Sequence, residues 1–212
     1  MAQRTKLGFV TLLTTARFPL VLSFFTCALL YTRSARPWIF ALSLLLLIVA
    51  AVTDLLDGYF ARRFSVETKL GEHMDPLMDK FFYLSTMPLL VFVSAQNGHG
   101  RHAVFLLVLT LLFLSRDQWV TFLRAIGSMY HVGGGAHWSG KLRTAVNFPL
   151  ICVIYYTEEA PWRMTAPVLL YALETIALGV NILSAVIYTR RYWPCLLRAA
   201  SPDGASARGG DA

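Results

Sequence analysis

Six apolar stretches, each close to the length that crosses a lipid bilayer, dominate this sequence. A helix needs about 20 apolar residues to span the hydrocarbon core, and short polar connectors separate the stretches. They cover residues 11–31, 38–60, 77–96, 102–127, 143–158 and 165–188. Charged residues make up 15% of the chain, against about a quarter of a soluble domain. The pattern predicts an all-α, polytopic membrane protein with six transmembrane helices.

Basic residues are distributed unevenly between the two ends of these stretches. The side that includes both termini receives Arg4, Lys6, Arg62, Arg63, Lys69, Lys141, Arg143, Arg190, Arg191, Arg198 and Arg208. The other side receives Arg33, Arg36, Arg101 and Arg163. Because lysine and arginine are enriched in cytoplasmic loops, we expect both termini to lie in the cytoplasm. These flanks also account for the net charge of +7, so we predict no nucleic-acid partner.

The domain organisation is simple. The six stretches form one membrane domain over residues 1–198. Residues 199–212 are rich in Gly, Ala, Ser and Asp without an apolar period, so this cytoplasmic tail is predicted to be disordered. Cys27, Cys152 and Cys195 are widely spaced and odd in number, which favours neither a disulfide framework nor a zinc site.

Acidic residues concentrate where the second stretch ends and the third begins. Half of the chain's twelve acidic residues lie there, namely Asp54, Asp57, Glu67, Glu72, Asp75 and Asp79. Spacings of three and four residues place each aspartate pair on one face of a helix. Four carboxylates at a membrane boundary would repel one another and lose hydration unless cations were bound. All-oxygen ligation favours Mg²⁺, Mn²⁺ or Ca²⁺, and four carboxylates can bridge two ions, an arrangement that serves phosphoryl chemistry.

Small residues and an arginine accompany the aspartates. Gly58, Ala61 and Gly71 would let a flat or bulky ligand approach the backbone. Arg62 offers paired donors that suit a phosphate group. Taken singly, a glycine in a membrane helix usually allows two helices to pack closely. A single arginine at the end of such a helix usually extends its charged group to the aqueous interface. Beside four ordered aspartates, the set favours a phosphate-bearing ligand.

The motif Asp54-x2-Asp57-Gly58-x2-Ala61-Arg62-x8-Gly71-x3-Asp75-x3-Asp79 resembles the signature of the CDP-alcohol phosphotransferase family at every defined position. The resemblance implies an integral membrane enzyme of six helices, usually homodimeric, with its active site at the cytoplasmic face of a bacterial inner membrane. Such enzymes move a phosphatidyl group from a CDP-linked donor such as CDP-diacylglycerol to a hydroxyl acceptor and release CMP.

The resemblance also implies roles for the motif residues. Asp54, Asp57 and Asp75 resemble ligands of a first metal ion, either Mg²⁺ or Mn²⁺. Asp79 resembles a ligand of a second ion and the base that takes the acceptor's proton. The remaining positions resemble those that hold the cytidine and pyrophosphate of the donor, and they are Gly58, Ala61, Arg62 and Gly71.

The acceptor is predicted from a second set of residues. The segment from Thr11 to Pro19 resembles the first helix of the family's phosphatidylglycerophosphate synthases, which implies glycerol-3-phosphate as acceptor. Basic residues in and after the fourth stretch would hold its phosphate, and these are Arg116, Arg124, Lys141 and Arg143. Cations inside a membrane helix are costly and generally have an anionic partner. The alternative partner is internal, either Asp117 or the aspartate cluster.

Other interpretations stay open from the sequence alone. The synthases' usual Gly-Arg-Glu is replaced by Ser115-Arg116-Asp117, and an Arg-Asp pair also resembles cardiolipin synthases, whose acceptor is phosphatidylglycerol. A phosphatidylinositol-phosphate synthase would need a basic pocket as well. A membrane cation transporter is the rival from another class, because carboxylates at helix ends also form cation pathways.

Overall fold

The computed structural model describes residues 2–64, 69–132, 138–161 and 167–201. These residues form six α-helices and no strand, which confirms the predicted all-α class. The helices are α1 (Ala2–Ser34), α2 (Pro37–Phe64), α3 (Lys69–Gln96), α4 (Gly100–Met129), α5 (Trp138–Glu159) and α6 (Pro167–Ala200). Proline opens α2 and α6, the first helical position where its missing N–H costs nothing. Most of the predicted tail lies outside the described residues.

The helices are longer than the apolar stretches that predicted them. The segment Arg62–Asp75 was predicted as a polar connector, but α2 continues to Phe64 and α3 already begins at Lys69. Lysine, glutamate, methionine and leucine are strong helix formers and fill the first turns of α3. Polarity therefore marks where the chain leaves the apolar layer, and the helix itself ends later.

Membrane-spanning character is clearest in four of the six helices. The segments long and apolar enough to cross a bilayer are Thr11–Ser34, Leu77–Gln96, Gly100–Met129 and Val168–Ala200. The apolar part of α2, Pro37–Thr53, is shorter. Large apolar side chains such as Leu84 and Leu111 are more than half exposed, as expected for surfaces that face lipid. The chain is an integral membrane protein, and the cytoplasmic position of its termini stays a prediction.

The chain divides into two compact units, each described by itself. The first unit comprises Met1–Thr110 and Phe148–Leu170. Within it, α1 packs against α2 and α3. The ring of Tyr155 meets Phe24 edge-on at 5.1 Å, and its hydroxyl lies 2.5 Å from Ser43 Oγ. These buried contacts hold α1 in the position from which it reaches the acidic motif.

The second unit comprises Leu111–Asn147 and Tyr171–Ala212. Its apolar cluster is built from Val120, Leu123, Tyr188 and Tyr192. A Cβ atom at Gly127 would lie 2.3 Å from Cε1 of Tyr192, so only glycine leaves room for this ring against α4. This close approach brings the basic residues of α4 next to polar groups of α6.

Candidate functional site

The acidic motif is helical in both halves. Asp54, Asp57, Gly58, Ala61 and Arg62 lie on α2, and Gly71, Asp75 and Asp79 lie on α3. The helical spacing places each aspartate pair on one face, as the sequence predicts. Asp79 is the one member of the motif whose side chain the structure describes. The meeting of all four carboxylates therefore stays a prediction.

Asp79 forms an ion pair with an arginine of the first helix. Arg17 Nη1 lies 3.6 Å from Asp79 Oδ1, and the side chains are 1% and 32% exposed. The adjacent residue Phe18 stacks on Phe81 with ring centroids 4.5 Å apart, which fixes the two helices beside the pair. Sequence reasoning assigned no role to Arg17, although an ionisable residue inside a membrane span is itself a functional signal.

The motif suits a divalent metal ion chemically. Its donor set is made of carboxylates, the ligands that Mg²⁺ and Mn²⁺ prefer. Asp79 already faces the Arg17 guanidinium, so a metal ion bound to this carboxylate would share it with that arginine. Among the described side chains, no three His, Cys, Asp or Glu residues form a metal site, and Asp54, Asp57 and Asp75 fall outside that set.

The basic residues predicted to hold the acceptor meet a buried carboxylate. Asp117 Oδ1 accepts a hydrogen bond from Arg116 Nη1 at 3.0 Å. Its Oδ2 accepts one from Arg143 Nη2 at 2.7 Å. All three side chains are less than 10% exposed. The internal pairing that the sequence left open is therefore present for two of the four predicted basic residues.

Arg124 joins the same cluster through an aromatic ring. Its Nη2 donates to the Tyr188 hydroxyl at 2.9 Å, and its guanidinium lies 5.3 Å from the centre of that ring. Arg116 lies 5.4 Å from the same centre, a range in which cation–π attraction operates. The fourth predicted residue, Lys141, lies in the first turn of α5, and its side chain lies outside the described set.

Three polar residues of α6 complete this cluster, and sequence reasoning missed them. Ser184 accepts a hydrogen bond from Arg116 Nη2, and Asn181 Oδ1 accepts one from Arg143 Nε at 2.8 Å. Tyr188 is the third. They stand as isolated polar residues in an apolar stretch, so only their recurrence every three or four residues, along one helical face, could have indicated them.

A second buried polar cluster lies at the ends of α3, α4 and α5 in the first unit. Glu158 Oε1 lies 2.5 Å from His102 Nδ1, and Oε2 lies 2.9 Å from His99 Nδ1. Glu158 Oε1 also accepts a hydrogen bond from Ser94 Oγ at 2.9 Å. For its neighbour Glu159, burial dominates and raises the pKa to about 7.

Known proteins place the chain in a family. The sequence model of the CDP-alcohol phosphatidyltransferase family matches residues 9–187. A CDP-diacylglycerol–glycerol-3-phosphate 3-phosphatidyltransferase of Pseudomonas fluorescens is 32% identical over 69% of this chain and 72% of its own length. The protein of that name from Cereibacter sphaeroides is 27% identical over 82% of this chain and 67% of its own.

A CMP-forming cardiolipin synthase of Oryza sativa is 26% identical over 76% of this chain, which spans about half of that longer protein. Proteins named for two different activities are thus among the relatives. The family match overturns the transporter interpretation, and members of this family in general depend on divalent metal ions. The chain belongs to the CDP-alcohol phosphatidyltransferase family and is a membrane-embedded phosphotransferase enzyme.

Proposed function

We propose that this enzyme transfers the phosphatidyl group of CDP-diacylglycerol to glycerol-3-phosphate and releases CMP. The observation that carries the choice of acceptor is the buried arginine cluster of α4 and α5. Three arginines stand against one carboxylate there, and Arg116 Nε and Arg124 Nε are buried without a hydrogen-bond partner among the described residues. Buried donors and surplus positive charge favour an anionic ligand.

The donor would bind at the acidic motif. Asp54, Asp57, Asp75 and Asp79 would hold two divalent cations, Mg²⁺ or Mn²⁺, which when bound neutralise the charge of the donor's pyrophosphate. The cytidine and pyrophosphate would be held by Gly58, Ala61, Arg62 and Gly71. These assignments rest on the match of the motif to the family signature.

The chemical step is a substitution at the phosphorus that carries the diacylglycerol. Asp79 takes the proton from the acceptor's hydroxyl, the oxygen attacks phosphorus, and the bond to CMP breaks. The Arg17 guanidinium, 3.6 Å from Asp79 Oδ1, supports this role because its charge attracts the carboxylate toward α1. A membrane-embedded site lets the acyl chains of the donor stay in the bilayer. The distribution of basic residues favours an active site at the cytoplasmic face, and the family resemblance favours a homodimer in a bacterial inner membrane.

Phosphatidylglycerol is the second candidate acceptor, supported by the relative named cardiolipin synthase. The same arginines could hold its single phosphate. Inositol phosphate is a third acceptor that a basic pocket would fit. The three differ in what they offer to the cluster, since a phosphate monoester carries more negative charge than a diester.

Purified protein with CDP-diacylglycerol and Mg²⁺ or Mn²⁺ tests the proposal. Glycerol-3-phosphate, phosphatidylglycerol, inositol phosphate and glycerol are supplied in turn, and CMP and lipid product are measured. We expect release of CMP with glycerol-3-phosphate and little with glycerol. Asp79→Asn should remove most turnover while CDP-diacylglycerol still raises the melting temperature. If phosphatidylglycerol were the one acceptor that supported turnover, glycerol-3-phosphate would be wrong and the activity would be that of a cardiolipin synthase.

A further inference from the structure

Asp117 occupies an unusual position among the charges of the second unit. Its two carboxylate oxygens are divided between two arginines from different helices, Arg116 on α4 and Arg143 on α5. All three side chains are more than nine-tenths buried. A carboxylate used in this way fixes the separation of two guanidinium groups before any ligand arrives.

Neutral contacts on α6 hold each guanidinium from its other side. Arg116 donates to Ser184, and Arg143 donates to Asn181. The Asn181 amide is itself fixed, because its Nδ2 donates to the Ala177 carbonyl at 2.7 Å and to Asn147 Oδ1 at 3.1 Å. The two arginines therefore have little freedom to rotate, which is the condition for a preorganised binding site.

The cluster contains more basic than acidic side chains. Among those whose contacts to one another are described, Arg116, Arg124 and Arg143 are cationic and Asp117 is anionic. Buried charge of this kind is stable only with a partner. A phosphate monoester has a second pKa of about 6 and so carries close to two negative charges at neutral pH. A diester carries one.

We propose that Asp117 positions the site for a phosphorylated acceptor, because its two carboxylate oxygens hold Arg116 and Arg143 at a fixed separation. The inference rests on the proposed function for the existence of a phosphorylated acceptor. Asp117 acts through Arg116 and Arg143, so it is a positioning residue. Without it, the two guanidinium groups repel each other and lose their fixed separation.

Kinetics of Asp117→Asn test this role. We expect the KM for glycerol-3-phosphate to rise by about ten- to a hundredfold, because Arg116 and Arg143 lose the carboxylate that holds them and their charge-assisted contacts with the acceptor weaken. The KM for CDP-diacylglycerol should stay within about twofold, since the donor does not use the cluster. Activity toward glycerol should change little, because glycerol has no phosphate. Asp117→Glu keeps the carboxylate and should recover most of the lost affinity.

Two further variants separate positioning from damage to the fold. Ser184→Ala loosens Arg116 and leaves the charge balance intact, so it should raise the acceptor's KM by a smaller factor and gives a readout if Asp117→Asn fails to fold. Glu158→Gln removes another buried carboxylate that holds two basic side chains, within the first unit. It is the matched control and should leave the ratio of the two KM values unchanged.

The outcomes distinguish the two proposals. If none of the phosphorylated acceptors supported CMP release by the parent enzyme, the proposed function would be overturned. If the parent is active but Asp117→Asn or Ser184→Ala weakens donor and acceptor affinity equally, the inference about Asp117 is overturned and the proposed function is not. The same holds if neither affinity changes. A selective loss for glycerol-3-phosphate that Asp117→Glu restores supports it.

Discussion

Replacing Glu159 with glutamine should stabilise the protein above neutral pH and leave its stability nearly unchanged in acid. Glu159 is buried, and burial raises its pKa from 4.5 to about 7, against a hydrogen bond from Asn97 and together with the charge of Glu158. The folded state thus keeps a proton that the unfolded state has released. Because the folded protein binds more protons between pH 4.5 and 7, its stability falls as the pH rises through that window.

The magnitude follows from the size of the pKa shift. One pKa unit corresponds to about 1.36 kcal/mol, so a charged Glu159 costs on the order of 3 kcal/mol above pH 7. Glutamine offers Asn97 an amide oxygen in place of the carboxylate oxygen, and its side chain cannot ionise. In a chain of this size, 1 kcal/mol moves the melting temperature by about 2–4 °C. Glu159→Gln should therefore melt about 6–12 °C higher than the parent at pH 8 and at the same temperature near pH 4.5.

The adjacent residue provides a control of opposite sign. Glu158 accepts hydrogen bonds from His102, His99 and Ser94, so its charged carboxylate stabilises the folded protein. Glu158→Gln should accordingly melt below the parent at pH 8. The measurement is thermal unfolding of the purified protein in detergent between pH 4.5 and 8. A Glu159→Gln variant that melts with the parent at pH 8, or gains equally at every pH, would refute the reasoning.

Three other changes have definite expected results. Arg17→Gln should lower kcat for CMP release by about tenfold, since Asp79 loses the guanidinium that orients it, and Arg17→Lys should retain more activity; unchanged kcat for both would contradict this. Gly127→Ala should lower thermal stability by about 1–2 kcal/mol, because the new Cβ meets the buried Tyr192 ring; a stabilised variant would mean that the ring moves freely. Reporter fusions after Arg36, Arg63 and Arg191 should read outside, inside and inside, and a cytoplasmic signal at Arg36 would reverse the topology.

The helices and the acidic motif were predictable because both depend on local spacing. Apolar length predicted six helices, and the intervals between Asp54, Asp57, Asp75 and Asp79 set their helical faces whatever the rest of the chain does. The ends of the helices were not predictable in the same way. Hydropathy reports where a segment leaves the apolar layer, and α3 begins before that point.

Contacts between helices were the part that the sequence left undetermined. A basic residue in an apolar helix indicates that it has an anionic partner. For Arg116, the sequence left three candidate partners: an acceptor phosphate, Asp117 and the aspartate cluster. Which side of α6 meets α4 depends on packing, and the close approach of the Tyr192 ring to Gly127 is part of that packing. For the same reason Arg17 could be noticed in the sequence, but its pairing with Asp79 could not be derived from it.

The charged middle of α4 has a consequence for biosynthesis. On the scale measured for translocon-mediated insertion, each Arg or Asp near a helix centre costs about 2.5–3.5 kcal/mol. Asp117 emerges from the ribosome 26 residues before Arg143, so α4 reaches the translocon while one of its neutralising partners is still inside the ribosome. Pairing with the neighbouring Arg116 offsets part of this cost, and the apolar residues of α4 offset a larger part. We expect α4 to integrate fully only together with α5, so a nascent chain that ends before α5 should leave α4 incompletely inserted.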